Sequence, residues 1–142
     1  MILSGRAIQE RLLSGGDLVI RPYAETCQQP ASYDLRIGEN VILPSRTCTL
    51  VPSLEWVELP TDLAATLRCR SSFARRGVLL GGGFVDPGFR GQLTLCLTNM
   101  SPDPIALYKE DRVIQMILHM VGMNDRLYEG RYQDSCGVVP SR

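Results

Sequence analysis

Proline and glycine interrupt the chain every few residues, and this punctuation limits most of it to short extended segments. The 142 residues include 13 glycines and 9 prolines, with short apolar or alternating runs between them. Strand candidates are residues 18–20, the second half of 30–38, 41–43, 47–51, 55–59 and 64–68, the later ones separated by Pro44, Pro52 and Pro60. Frequent short strands of this kind predict a mainly β fold, either an antiparallel barrel or a jelly roll.

The clearest strand prediction covers residues 92–98, where apolar and polar side chains alternate strictly. Because side chains of a strand point to opposite faces in turn, three leucines share one face. The other face carries Gln92, Thr94, Cys96 and Thr98. We therefore expect the leucines in the core and Cys96 on the more polar face.

Residues 105–108 and 113–120 follow as two further apolar runs. The turn-like residues 109–111 between them predict that the two runs pair with each other as a hairpin. Gln115 is the polar exception in the second run, and a buried glutamine needs hydrogen-bond partners.

The N-terminus is the one helical segment that the pattern indicates. Ser4 is a candidate N-cap, and Ile8, Leu12 and Leu13 recur at helical spacing before Gly15-Gly16. The chain length suits one domain, residues 1–142, without a linker. Residues 124–142 are polar and are expected to form a mobile C-terminal tail.

Charge and cysteine content exclude several classes of function. The formal net charge is zero, which argues against a nucleic-acid partner bound through broad phosphate neutralisation. No apolar run approaches the length of a membrane span, and the five cysteines form no C-x-x-C pair. His119 is the single histidine, which makes a two-histidine metal site impossible. We expect a cytoplasmic protein that has no membrane or nucleic-acid partner.

Two neighbouring segments combine groups suited to an anion and a proton transfer. The segment 70–77 places Ser71 and Ser72 beside arginines, whose forked guanidinium groups suit phosphate oxygens. In the segment 83–91, Asp86 precedes Pro87-Gly88, which fits the central positions of a type II turn. The sequence thus predicts a phosphate site next to a carboxylate held at a hairpin corner.

Several motifs, taken in order, resemble the dCTP deaminase and dUTPase superfamily. They are the segments Met1-Ile2-Leu3-Ser4, Pro30-Ala31-Ser32-Tyr33-Asp34-Leu35-Arg36, Arg70-Ser71-Ser72-Phe73-Ala74-Arg75, Val85-Asp86-Pro87-Gly88-Phe89-Arg90-Gly91 and Arg112-Val113-Ile114-Gln115-Met116. The resemblance implies a distorted jelly-roll barrel of the dUTPase type. It also implies a homotrimer whose sites are shared between subunits and bind a pyrimidine deoxynucleoside triphosphate.

The two branches of this superfamily differ in chemistry, and the residue at position 96 distinguishes them. Zinc-free deaminases carry a proton-shuttling glutamate in a pattern like L-E-F-x-N, where this chain has Leu95-Cys96-Leu97-Thr98-Asn99. A thiol is a poor substitute for a positioned carboxylate in repeated proton transfer. The zinc pattern of other deaminases is also absent. Deamination of dCTP is therefore an alternative rather than the preferred reading.

By resemblance to dUTPases, Asp86 activates the water that attacks the α-phosphorus of dUTP, yielding dUMP and pyrophosphate. Mg²⁺ bound to the triphosphate offsets its charge. Arg70 would hold Asp86, and Asp34 would support the metal through water. The remaining substrate contacts implied by the resemblance are Ser71, Ser72, Arg75, Phe89 under the deoxyribose, Gln115 on phosphate oxygens and Tyr132 on the base.

Other readings of the same residues stay open. Gly81-Gly82-Gly83 stands where dUTPases often read uracil, so dCTP or a modified pyrimidine triphosphate is an alternative substrate. A non-catalytic trimeric nucleotide-binding regulator is another alternative. Asp34 also suits a structural strand-end carboxylate, Arg75 a solvated surface, and Tyr132 an exposed aromatic.

Overall fold

The computed structural model describes residues 1–13 and 16–141. One helix, α1 (Gly5–Leu13), opens the chain, and a second of one turn, α2 (Ser71–Ala74), follows the sixth strand. The strands are β1 (Val19–Arg21), β2 (Gln28–Gln29), β3 (Ser32–Arg36), β4 (Val41–Leu43), β5 (Cys48–Glu58), β6 (Leu63–Cys69), β7 (Val78–Gly81), β8 (Phe84–Val85), β9 (Arg90–Asn99), β10 (Ile105–Leu107) and β11 (Arg112–Met120). No helix in these two ranges is long and apolar enough to span a membrane.

The strands form two larger sheets and one small one. Their orders are β1-β5-β9-β7, β2-β3-β11-β6-β8 and β10-β4. Side chains from both larger sheets belong to one buried core, to which Leu95, Leu97, Ile114 and Met116 contribute with no exposed surface. The prediction of a mainly β chain with a short N-terminal helix is confirmed, although among the described residues the sheets are not closed into a barrel.

The N-terminal helix begins where its cap was predicted. The hydroxyl of Ser4 accepts a hydrogen bond from the backbone N–H of Ala7 at 3.2 Å, which satisfies one free donor of the first turn. Ile8 is fully buried, but Leu13 is 85% exposed and does not join the buried face. The predicted helix end at Gly15 lies outside the described residues.

Strand β5 runs through Pro52, where the sequence predicted a break between two strands. A bulge between Pro52 and Trp56 interrupts its pairing with β9, and bulges are among the few strand positions that tolerate proline. The hydroxyl of Ser53 fills the gap, because it accepts the N–H of Leu93 at 2.9 Å and donates to the carbonyl of Glu55 at 2.8 Å. The side chain of Ser53 therefore links the bulge to β9 through a hydrogen bond.

The two runs after β9 do not pair with each other, so the predicted hairpin is wrong. Strand β10 pairs with β4, whereas β11 pairs with β3 and β6. The connection is a corner between sheets, where Asp111 donates its N–H to the carbonyl of Tyr108 at 2.9 Å and Glu110 donates to Ile37 at 2.8 Å. Contacts with residues distant in sequence separate the two runs.

Strand β3 was expected to be half-buried, but four of its five residues, Ser32 to Leu35, are buried. Elements packed against the strand explain this, since β5 and α1 contact it in addition to its paired neighbours β2 and β11. Arg70 also lies against Asp34. Consequently Asp34 has no exposed surface at all.

Candidate functional site

The predicted type II turn is present between β8 and β9. The two strands pair with different partners, β8 with β6 and β9 with β5 and β7, so the turn is a corner between the two larger sheets and the predicted hairpin is wrong. Phe89 donates its N–H to the carbonyl of Asp86 at 3.2 Å, and Gly88 has the positive φ of +82° that the third turn position requires. Pro87 fits the second position because its φ is restricted by the ring. The turn leaves the carboxylate of Asp86 exposed to solvent.

A cavity of about 390 Å³ lies beside this turn. We call it the hairpin–tail pocket, after the turn that was predicted as a hairpin corner; the β8–β9 turn, the outer face of β9 and the C-terminal residues form its walls. Residues that line it include Leu50, Asp86, Phe89, Gln92, Thr94, Cys96, Tyr132, Ser135 and Val139. Three predicted site residues, Asp86, Phe89 and Tyr132, thus meet at one cavity within a single chain.

Cys96 lies on the polar face of β9, as the alternating pattern predicted. Leu95 and Leu97 on either side are fully buried, whereas Cys96 lines the pocket. Burial, and to a smaller extent the nearby Cys48, raises the pKa of the Cys96 thiol. The thiol is therefore held in its neutral form, and Asp86 carries the one carboxylate among the described residues that line the pocket.

Phe89 is buried beneath the C-terminal segment. Its ring meets that of Tyr128 edge-on, with centroids 5.5 Å apart and planes at 70°, a favourable aromatic arrangement. The backbone N–H of Tyr128 also donates to the carbonyl of Pro87 at 2.8 Å. The C-terminal segment is thereby attached to the turn that carries Asp86.

The last described residues cross the outer face of β9 through two side-chain acceptors. Gly137 donates its N–H to Gln92 Oε1 at 2.6 Å, and Val139 donates to Thr94 Oγ1 at 2.9 Å. Gly91 and Ser135 form a parallel bridge just before them. Mobility of residues 124–142 stays a prediction, and in this structure residues 128–139 contact the β8–β9 turn and β9.

Asp34 and Arg70 form the second group of predicted site residues. Arg70 Nε lies 3.1 Å from Asp34 Oδ2, and Arg112 Nη1 lies 3.9 Å from the same oxygen. Neither carboxylate oxygen of Asp34 has a hydrogen bond that meets geometric criteria. Burial raises the pKa of Asp34, although the two arginines act in the opposite direction. We call these three residues the Asp34 cluster.

The other predicted phosphate contacts follow Arg70 in the chain or lie beside Asp34 on β11. Ser71 and Ser72 are exposed on α2, which begins after Arg70, and Arg75 is exposed at its end. Gln115 lies opposite Asp34 across β3 and β11 and approaches Ser32 Oγ at 3.4 Å. None of these side chains lines the hairpin–tail pocket among the described residues.

Within one chain Arg70 forms an ion pair with Asp34, and Asp86 lines the hairpin–tail pocket. One chain thus carries two separate halves of the predicted site. Arg70 as the holder of Asp86, and the other assigned roles, stay predictions.

Gln133 is a site neighbour that sequence reasoning missed. Its amide donates to the carbonyl of Gly88 at 2.8 Å and accepts the N–H of Arg90 at 3.0 Å. The polar C-terminal sequence has no periodicity that would place it against the β8–β9 turn. Spacing alone gave no signal for this contact.

The described residues contain no group of three or more His, Cys, Asp or Glu side chains arranged to hold a metal ion. Asp34 lies behind Arg70 without exposed surface. The described residues therefore do not form a protein cage for a cation.

Comparison with known proteins identifies the family. A model described as dCTP deaminase-like matches residues 37–121. A protein of Pyrococcus horikoshii named dCTP deaminase is 35% identical over 89% of this chain and 91% of its own length. A protein of Aquifex aeolicus named "dCTP deaminase, dUMP-forming" is 34% identical over 100% of this chain and 94% of its own.

Solved structures with 22% sequence identity share the fold. The 2'-deoxycytidine 5'-triphosphate deaminase of Agrobacterium tumefaciens aligns with a TM-score of 0.73 over 87% of this chain and 50% of that longer one. The EIAV dUTPase aligns with a TM-score of 0.66 over 82% of this chain and 98% of its own. The resemblance stated from the motifs is confirmed: the chain shares its fold with dUTPases and belongs to the dCTP deaminase-like family.

Proposed function

We propose that the protein is a pyrophosphatase that hydrolyses dUTP to dUMP and pyrophosphate. One observation carries the proposal: the hairpin–tail pocket presents the carboxylate of Asp86 and, on the adjacent strand, the neutral thiol of Cys96. A neutral thiol does not take up a proton. Asp86 is the group in this pocket that accepts one, and its position at a solvent-exposed turn suits activation of water.

The proposed reaction balances without a further reactant. A water oxygen attacks the α-phosphorus, the bond to the bridging oxygen of the β-phosphate breaks, and pyrophosphate leaves. The water proton passes to Asp86 and from there to solvent. Phe89 and Tyr132 supply aromatic surface in the same pocket, which suits the deoxyribose and the base.

A second copy of the chain is expected to supply the phosphate contacts. The Asp34 cluster and the exposed Ser71 and Ser72 do not reach the pocket of their own chain. Arginines and hydroxyls at one place suit a triphosphate. We infer a homotrimer in which these groups of one subunit face Asp86 of its neighbour, as the resemblance implies.

Magnesium enters as part of the substrate. The solved structure of phage phi11 dUTPase is described as revealing the coordination of a structural Mg(II) ion. When bound to the triphosphate of this protein's substrate, Mg²⁺ would offset phosphate charge. Asp34 can support the Mg²⁺ ion through water only if Arg70 moves away from the carboxylate or contact with a partner subunit exposes the carboxylate.

Deamination of dCTP is the second candidate, because relatives 35% identical bear that name. Against it stands Cys96 in the position of the expected glutamate. A pyrophosphatase for dCTP or a modified pyrimidine triphosphate is supported by Gly83, which lines the pocket without a side chain to read a base. A non-catalytic nucleotide-binding regulator would use the same pocket.

Product analysis separates these candidates. The protein is incubated with each deoxynucleoside triphosphate and Mg²⁺, and nucleotides, pyrophosphate and ammonia are measured. Equal amounts of dUMP and pyrophosphate from dUTP are expected. Ammonia with dUTP from dCTP would establish deamination instead, pyrophosphate from another pyrimidine would redefine the substrate, and binding without products would establish the regulator.

A further inference from the structure

The turn that carries Asp86 has its backbone groups bonded on two sides. On one side Leu59 accepts the N–H of Gly88 at 3.0 Å and donates to the carbonyl of Phe89 at 2.9 Å. On the other side the partners come from residues 128–135 of the same chain. The turn is therefore held between β5 and the C-terminal segment.

Gln133 supplies two of the bonds on the C-terminal side. Its Nε2 donates to the carbonyl of Gly88 at 2.8 Å, and its Oε1 accepts the N–H of Arg90 at 3.0 Å. These two groups flank Phe89 and would face a neighbouring strand in a longer sheet. One side-chain amide thus serves as the missing strand partner, since it offers both a donor and an acceptor.

Adjacent backbone contacts fix where this amide lies. Asp134 donates its N–H to the carbonyl of Arg90 at 2.9 Å, and Gln92 donates to the carbonyl of Ser135 at 2.8 Å. The side chains of Arg90 and Asp134 also form an ion pair. Gln133 therefore reaches the turn from an anchored segment.

We propose that Gln133 is a positioning residue, which holds the Asp86 turn in the one conformation that supports turnover. The role rests on the proposed function of Asp86. Gln133 does not touch the reacting atoms, so its loss lowers kcat through misplacement of the base and leaves substrate affinity nearly unchanged. Small displacements of a reacting group cost large factors in rate.

Two variants give the test a signature that general destabilisation lacks. Gln133→Ala removes both bonds, and we expect kcat to fall about 10- to 100-fold with little change in KM. Gln133→Glu has only acceptors when ionised, but when protonated it offers a donor for Gly88 and an acceptor for Arg90. The ratio of its kcat to that of Gln133→Ala should rise as the pH falls toward about 5.

Dividing the kcat of Gln133→Glu by that of Gln133→Ala cancels any pH dependence that the two variants share. The charged groups beside the amide are Arg90 and Asp134, and Asp86 lies on the turn itself; all three are common to the two variants. Gln9→Ala, at a half-buried glutamine of α1 whose amide donates to Tyr23 at 3.3 Å, is the matched control and should keep the parent kcat. Equal kcat of Gln133→Ala and parent, or a constant ratio of the two variants at every pH, overturns the proposal.

A second measurement tests the role of Gln133 without relying on the proposed function. It is the hydrogen exchange of the Arg90 amide, followed by NMR or in peptides that span the turn. A parent protein that hydrolyses no pyrimidine triphosphate refutes the proposed function. The exchange measurement then decides the role of Gln133 alone: faster exchange in Gln133→Ala than in the parent supports it, and unchanged exchange overturns it.

Discussion

In the hairpin–tail pocket the predicted site residues face an open cavity, whereas in the Asp34 cluster they face one another. Asp86 is exposed at a turn and makes no ion pair among the described residues. Asp34 has no exposed surface and lies 3.1 Å from Arg70. The two aspartates that the sequence singled out thus lie in opposite environments, Asp86 exposed and Asp34 buried.

This difference in burial determines how each carboxylate can act. An exposed carboxylate that lines a cavity is accessible to water and to a bound molecule, so Asp86 suits chemistry. A buried carboxylate beside two arginines orients their guanidinium groups, so Asp34 suits the placement of phosphate ligands. Substitutions in the pocket should therefore change rate, and substitutions in the cluster should change stability.

Asp86→Asn should have the largest effect. Amide for carboxylate preserves the shape of the exposed side chain and removes its basicity, so kcat should fall by about 10² to 10⁴ while the thermal unfolding midpoint stays near that of the parent. Asp103→Asn, in another exposed loop, is the control. Undiminished hydrolysis of dUTP in Asp86→Asn would remove Asp86 from the mechanism.

Arg70→Met should mainly lower stability. It leaves the Asp34 carboxylate buried beside the more distant Arg112, which should cost about 3 kcal/mol in the free energy of unfolding at pH 7. Urea unfolding followed through Trp56, the single tryptophan, measures it, with Arg68→Met on an exposed position as control. A loss no greater than that of the control would show that the ion pair is not structural.

The stability lost in Arg70→Met should change with pH in a direction that follows from the pKa of Asp34. The pKa of Asp34 is raised by burial in the folded protein, and loss of Arg70 should raise it further. A carboxyl with a raised folded pKa favours folding below its unfolded pKa and loses that contribution as the pH rises through the folded value. The stability gap between Arg70→Met and the parent should therefore narrow as the pH falls below 7.

Gly88→Ala should weaken the turn to a smaller extent. The residue has a φ of +82°, and an added Cβ would lie 2.9 Å from that of Leu127, so we expect a loss of about 1–3 kcal/mol in the free energy of unfolding. Gly122→Ala has no neighbour within 4 Å and should be close to neutral. Equal stability of the two variants would contradict the tight packing of the C-terminal segment on the turn.

Cys96→Ala should have the smallest effect, less than about 3-fold on kcat for dUTP, because a neutral thiol contributes no proton transfer. Steady-state kinetics measure it, with the exposed Cys48→Ala as control. A loss as large as that of Asp86→Asn would place the thiol in the chemistry and break the contrast between the two side chains.

Local patterns predicted what local interactions determine. The Ser4 cap, the turn at Pro87-Gly88 and the leucine face of β9 each depend on residues close in sequence. They were all predicted correctly, since capping, turn geometry and alternation are short-range rules.

Long-range contacts account for what the sequence could not predict. Pro52 sits in a continuous strand because Ser53 bonds to β9, and β11 leaves β10 because two other strands pair with it. Likewise Asp34 is buried beside two arginines distant in sequence, and the contact of Gln133 depends on a segment that returns to the β8–β9 turn. Such contacts leave no periodic trace in the chain.

The bulge in β5 has a consequence for changes in chain length. Gln92 Nε2 donates to the carbonyl of Ser53 at 3.0 Å, and Arg36 of β3 pairs with Glu55 at 2.7 Å, so the bulge ties the strand that bears Cys96 to the strand that bears Asp34. One inserted or deleted residue in β9 would exchange its two faces. The thiol would then point into the core and a leucine into the pocket. Designed insertions are therefore compatible with this site in turns, such as at Gly82 between β7 and β8, where an added Cβ would meet nothing within 4 Å, and not in the strands.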